Sequence, residues 1–135
     1  MSRILLVDDD PNFLALLAAF VRERFPALEL VCERDPLRGL AAIAADLDLL
    51  LLDLEMPGLD GGRMLAYALE KGLSKNRIVI LSGRDAEYLH RRFPMGRCLA
   101  VLNKHEVRQR AVLEMIFASL EQKRLATGAG CSGGQ

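Results

Sequence analysis

An open α/β sheet, with five parallel strands and helices wound on both faces, is the fold class this sequence predicts. Three observations carry it. Short runs rich in Leu, Ile and Val alternate with segments of helical periodicity. Two of the helical segments open on the same step, Asp10-Pro11 and Asp35-Pro36, in which the aspartate caps free amides and the proline suits the first helical turn. The run Leu49-Leu50-Leu51-Leu52 is apolar on both faces, as a strand is at the centre of a parallel sheet covered by helices.

Taken in order, residues 3–7 form a first strand. A helix follows up to about Arg24, with Phe13, Leu14, Leu17, Phe20 and Val21 at helical spacing and Pro26 blocking its continuation. Residues 28–32 form the second strand, and the helix opened by Asp35-Pro36 runs to about Ala45. Residues 48–52 are the third strand, and 54–62 (LEMPGLDGG) are turn chemistry. A third helix over 65–71 ends at Gly72. The β-branched run 77–81 is the fourth strand, and a short helix over about 85–93 stops before Pro94. Residues 98–102 are the fifth strand. A long helix over 106–124 sets Val107, Ala111, Leu113, Ile116, Phe117 and Leu120 mostly on one side. Five such units imply a doubly wound, flavodoxin-like sheet; right-handed crossovers and the order 2-1-3-4-5 put the first and third strands side by side.

The chain's 135 residues suit one domain with one sizeable core. We assign residues 1–126 to that domain and the glycine-rich stretch 127–135 to a flexible tail or linker stub. The 18 basic and 18 acidic residues cancel, which leaves no footprint for nucleic acid or for a membrane surface. Asp8 to Asp10 break the first apolar run too early for a signal peptide, and no run is long enough to span a membrane. The three cysteines have no metal-type spacing. They read as two small core residues, Cys32 and Cys98, and one tail thiol, Cys131, in a reducing cytoplasm. His90 and His105 lack ligand partners at metal spacing, and the short basic cluster Arg91, Arg92 and Arg97 reads as a solvated or docking edge.

Function enters through the acids. Asp8, Asp9 and Asp10 follow the first strand directly, and Asp53 follows the third. Unpaired acids seldom end buried strands. Ligands of doubly wound sheets bind beyond the carboxyl ends of the strands. There Asp8, Asp9 and Asp53 would meet, with Ser82 and Lys104 at the rim. Like charges about 4 Å apart repel by about 4 kcal/mol at an effective dielectric of 20. A hard cation such as Mg²⁺, which takes oxygen ligands and keeps waters, would relieve that repulsion.

The segments ILLVDDDP, LLLLDLEMPGLDG, VILSG and VLNK, in this order, resemble the CheY-like receiver domain of bacterial two-component response regulators. The resemblance runs over about residues 3–124. It implies that Asp53 is the phosphoacceptor, charged by a histidine kinase or phosphotransfer protein. It implies that Asp8 and Asp9 hold Mg²⁺ together with Asp53 and the backbone carbonyl of Glu55. Ser82 and Lys104 would each meet a phosphoryl oxygen, while Asp10 is better read as a helix cap. Such a domain catalyses only its own phosphorylation and dephosphorylation, and is a switch rather than an enzyme. Its outlet would be a target protein or an effector domain in a longer DNA-binding regulator, or a homodimer through the face of helix 4, strand 5 and helix 5.

Two positions depart from the family. His105 replaces the proline common after the lysine, and a trans Lys104–His105 bond is expected because a cis non-proline bond costs ~2.5–4 kcal/mol. Val101 stands where a Tyr or Phe usually reports the switch. Glu55 and Arg84, two residues beyond Asp53 and Ser82, are expected to face each other across the pocket mouth, either as an ion pair that tunes rate or as two solvated side chains. Two enzyme-like alternatives are weaker. A haloacid dehalogenase-type phosphohydrolase needs a larger chain, and an FMN binder needs a Ser/Thr-rich loop where DDDP stands. A pseudo-receiver that is never phosphorylated is a third alternative.

Overall fold

The computed structural model describes residues 2–133 except 57, 58, 85, 93–95 and 97; at 59, 61, 86, 90, 107–109 and 124–133 it describes the backbone alone. Five parallel strands form the sheet: β1 (Ser2–Val7), β2 (Leu28–Glu33), β3 (Leu49–Asp53), β4 (Ile78–Ser82) and β5 (Ala100–Asn103). Their spatial order is β2-β1-β3-β4-β5, the order expected. The helices are α1 (Pro11–Arg24), α2 (Pro36–Ala42), α3 (Gly61–Glu70), α4 (Ala86–Arg92) and α5 (Val107–Gly133). No helix among the described residues is long and apolar enough to cross a membrane.

Strand alternation divides the core. Ile4, Leu6, Leu49, Leu51, Val79, Leu81 and Leu102 pack beneath α1 and α5, against Leu14, Leu17, Val21, Leu113 and Phe117. Leu5, Val7, Leu50, Leu52, Ile78 and Ile80 pack on the opposite face, against Ile43, Met64, Leu65, Ala68 and Leu89. β1, β3 and β4 are thus apolar on both faces, and helices cover both. Gly39 lets α2 come close to β1, since a Cβ there would lie 2.6 Å from Val7 Cγ1.

The caps explain where helices begin. Asp10 accepts from the amides of Asn12 at 3.0 Å and Phe13 at 3.4 Å, and Asp35 accepts from Leu37 N at 2.9 Å, as the Asp-Pro steps imply. Asp60 caps α3 by accepting from Gly62 N at 2.9 Å, so that helix starts four residues before its expected first residue. The hairpin ahead of it pairs Glu55–Met56 with Leu59–Asp60, where turn chemistry alone was expected. α2 ends at Ala42, three residues early, because the next residue, Ile43, turns extended and is buried.

Two expectations about the chain's margins need correction. Cys32 is exposed rather than in the core, because β2 is an edge strand; Cys98 is half-buried, and the Cys131 side chain lies outside the described residues. α5 stays helical to Gly133, through most of the stretch read as tail. No proline stops it, and an established helix propagates one hydrogen bond per added residue. Ala111 is exposed and the Val107 side chain lies outside the described residues, so the buried stripe of α5 is Leu113 and Phe117, flanked by half-buried Ile116 and Leu120.

Candidate functional site

Register brings the acids together. Val7 pairs with Leu52 across β1 and β3, so Asp8 and Asp53, the next residues, lie level. Asp53 pairs with Leu81, and Ser82 pairs with Asn103, so Ser82 stands one residue and Lys104 two residues further on at the same edge. Asp8, Asp53 and Lys104 share the alternation of Leu6, Leu51 and Leu102, on the α1/α5 face. Ser82 and Asn103 follow Ile80 and Val101, on the α2–α4 face.

Carboxylate oxygens of Asp8, Asp9 and Asp53 all lie within 4.8 Å of one another. Asp8 is fully buried and Asp53 is 3% exposed, while Asp9 is half-buried at the mouth. Lys104 Nζ lies 2.7 Å from Asp8 Oδ2 and 3.7 Å from Asp53 Oδ2. It also sits 4.6 Å from the centroid of the Phe13 ring, so an aromatic face covers the ammonium where water would otherwise reach it.

Asp8 Oδ1 accepts from Asp10 N at 2.9 Å. Asp8 Oδ2 is buried against the Lys104 ammonium at 2.7 Å, with no other donor among the described residues. Three carboxylates converging on one crevice, two of them buried and faced by a single ammonium, suit a hard cation and fit Mg²⁺.

The charges shift one another. Burial pushes the Asp53 carboxyl up to about 7, and the Asp8 charge adds to the rise; the Glu55 amide and Lys104 oppose it. Burial pulls Lys104 down, but its contact with Asp8 and the charges of Asp53, Asp8 and Asp10 outweigh this, and its net shift is upward. The crevice keeps its cation and resists holding all its anions.

The rim departs from expectation. Glu55 N donates to Asp53 Oδ1 at 3.1 Å. The Glu55 side chain turns to β4 rather than to Arg84: its Oε2 accepts the Ser82 hydroxyl in a short hydrogen bond, and its Oε1 accepts from Gly83 N at 3.0 Å. Arg84 lies instead over the Tyr88 ring, 4.0 Å from its centroid. The expected Glu55–Arg84 pair is therefore absent, because two nearer donors hold the carboxylate and an aromatic face holds the guanidinium.

Asn103 was not singled out by sequence. Its Nδ2 donates to Arg84 O at 2.8 Å and its Oδ1 accepts from His105 N at 2.7 Å. It ties the loop after β4 to the loop after β5. A polar residue closing an otherwise apolar strand was the available signal. Val101 is half-buried against the α2–α4 side of the core. His105 is exposed, and the described peptide bonds include no cis link. Arg91 and Arg92 are exposed, Arg92 pairing with Asp60, while Arg97 and the His90 side chain lie outside the described residues.

The family described as the response regulator receiver domain matches residues 4–117. This chain belongs to that family. The receiver domain is 38% identical over 63 residues to the glycerol metabolism activator of Pseudomonas putida, covering 45% of this chain and 28% of that protein. The chain thus matches little more than a quarter of that relative's length. Among solved structures, the response regulator TrrA of Thermotoga maritima in complex with Mg²⁺-BeF superposes with a TM-score of 0.69 at 23% identity, over 85% of this chain and 96% of that one. A chain of the R. sphaeroides complex between CheY6 and the P1 domain of CheA3 gives 0.62 at 26% identity, over 88% and 95%.

Proposed function

We propose that Asp53 is the phosphoacceptor of this receiver domain, and that Asp8, Asp9, Asp53 and the backbone carbonyl of Glu55 hold Mg²⁺ beside it. The convergence of three carboxylates on one buried, lysine-faced crevice carries the reading. Mg²⁺, when bound, supplies charge neutralisation between an incoming phosphoryl group and the carboxylates.

The chain's own residues do the rest. An Asp53 oxygen attacks phosphorus, forming an O–P bond. The bond from phosphorus to the donor's nitrogen or oxygen breaks, and its electron pair leaves with the donor. Without metal, burial raises the Asp53 carboxyl; a bound cation would favour the ionised carboxylate that attacks. Lys104, 3.7 Å from its Oδ2, favours the ionised form. Lys104 and the Ser82 hydroxyl would each meet a phosphoryl oxygen, the first as a point charge and the second as a donor. Later attack by water at phosphorus forms a new O–P bond, breaks the bond to Asp53, releases inorganic phosphate and returns the free carboxylate.

The partner that supplies phosphate is a histidine kinase or phosphotransfer protein, a reading supported by the solved complex of CheY6 with CheA3. The domain acts on itself and turns over no external substrate. We place it in the cytoplasm, where the free thiols of Cys32 and Cys98 would persist. Its outlet is the face of α4, β5 and α5, either to a target protein or to a second copy. A second reading is this receiver as the input module of a longer DNA-binding regulator; the glycerol metabolism activator, whose matched part is 28% of its length, supports the longer chain.

Incubation with Mg²⁺ and acetyl phosphate, followed by intact mass, tests the assignment. Wild type gains one phosphoryl group and Asp53→Asn gains none. A wild type left unmodified under conditions that label another receiver would make the domain a pseudo-receiver.

A further inference from the structure

We propose that Glu55 is a latch that holds the Ser82 loop in the unphosphorylated protein by occupying the Ser82 hydroxyl a phosphoryl group needs. This rests on Asp53 being the phosphoacceptor. Ser82 has one hydroxyl proton and Gly83 one amide proton, and both are directed at Glu55. The Ser82 oxygen in turn accepts from Arg84 N at 2.9 Å, so the hydroxyl is engaged as donor and acceptor. A single proton cannot serve the Glu55 carboxylate and a phosphoryl oxygen together. The two occupants exclude each other.

The contact is built to be exchanged. Glu55 is exposed as a residue, whereas Ser82 is buried. Leaving the rim therefore takes the Glu55 carboxylate into water at little desolvation cost, while Ser82 must keep an acceptor. A phosphoryl oxygen on Asp53 would supply that acceptor. The same anion would repel Glu55 and push it outward. Asn103 holds Arg84 O at 2.8 Å, so a shift of the Ser82 loop on exchange pulls on the loop that carries Lys104 and His105. Glu55 is a positioning residue here: it lowers the affinity of the resting site for a phosphoryl group and fixes the loop until one arrives.

Beryllofluoride with Mg²⁺ serves as the probe, with affinity read by calorimetry on wild type, Glu55→Ala and Glu55→Asp. Both variants are expected to bind about tenfold more tightly, the factor that corresponds to about 1.4 kcal/mol. Aspartate keeps the charge but is one methylene short of Ser82 and Gly83. An Asp variant that binds like wild type while Ala alone gains would reduce the effect to charge repulsion and overturn the latch. Unchanged affinity in both variants would overturn it as well. The Gly83 amide in a ¹H–¹⁵N spectrum of the ligand-free protein is an independent readout. Its proton is expected to move upfield in both variants, and a stationary signal would sink the proposal. If no chain takes up beryllofluoride, and acetyl phosphate leaves wild type unlabelled, the phosphoacceptor assignment fails and the latch loses its purpose. Tight but equal binding by all three chains would leave the assignment standing and reject the latch alone.

Discussion

The two faces of the sheet end differently at its carboxyl edge. On the α1/α5 face the last side chains are Asp8, Asp53 and Lys104, which are buried, charged and in direct contact. On the α2–α4 face they are Ser82 and Asn103, buried and neutral, joined by hydrogen bonds to Glu55, Arg84 and His105. Buried charges of opposite sign lock one another, because separating them in a low dielectric is costly. Neutral donors with solvent-reachable acceptors can change partner, because each lost bond is nearly matched by a new one. The first face is suited to hold a reaction site still, and the second to register what happens there.

Removing Lys104 breaks the charged face most severely. Lys104→Ala leaves Asp8 and Asp53 buried without their countercharge and should cost about 3 kcal/mol, at the low end for a broken buried pair because Asp53 can take up a proton. Urea unfolding at pH 8 checks this, and the loss should shrink at pH 5. Asp53→Asn, which removes one of the like charges, should instead stabilise the metal-free protein.

Acidity sharpens the contrast next. The folded-state Asp53 carboxyl stands at about 7, above the ordinary 3.8. Between those values the folded protein holds a proton that the unfolded chain releases, so without metal its stability falls as pH rises from about 4 through about 7. The full fall is on the order of a few kcal/mol. Thermal unfolding across that range should show the decline in EDTA and its suppression in excess Mg²⁺. Asp53→Asn should flatten the curve in EDTA.

The neutral face should respond less in stability and more in shape. Asn103→Ala strips partners from Arg84 O and His105 N and should cost about 1–2 kcal/mol, with amide shifts around Gly83 and His105 and little change near Asp8. Arg84→Ala should be smallest, below about 1 kcal/mol, since the guanidinium lies over Tyr88 at an exposed position. An Arg84→Ala loss as large as that of Lys104→Ala would erase the distinction between the faces.

The charged face was legible in the sequence; on the neutral face Ser82 was legible, but Asn103 and the partners of both were not. Asp8 and Asp53 follow apolar strands at fixed positions, and parallel pairing of neighbouring strands is enough to bring them level. Spacing and sign match Glu55 with Arg84, but the side chain meets the Ser82 hydroxyl and the Gly83 amide instead. That outcome depends on how the β3 and β4 loops approach. Asn103 carries no local signal for the same reason, since its two partners lie on separate loops. The hairpin before α3 and the early start of that helix also escaped. Asp60 caps α3 and pairs with Arg92 of α4, a partner 32 residues away that local turn propensity does not register.

By itself the sequence determined the alternation of strands and helices, the caps at Asp10 and Asp35, and the residues standing at the strand ends, because each follows from chain-local periodicity and hydrogen bonding. Tertiary structure alone decided what those end residues touch. A carboxylate at a rim chooses among donors by distances of an ångström or two, and only the docking of one loop against another sets those distances.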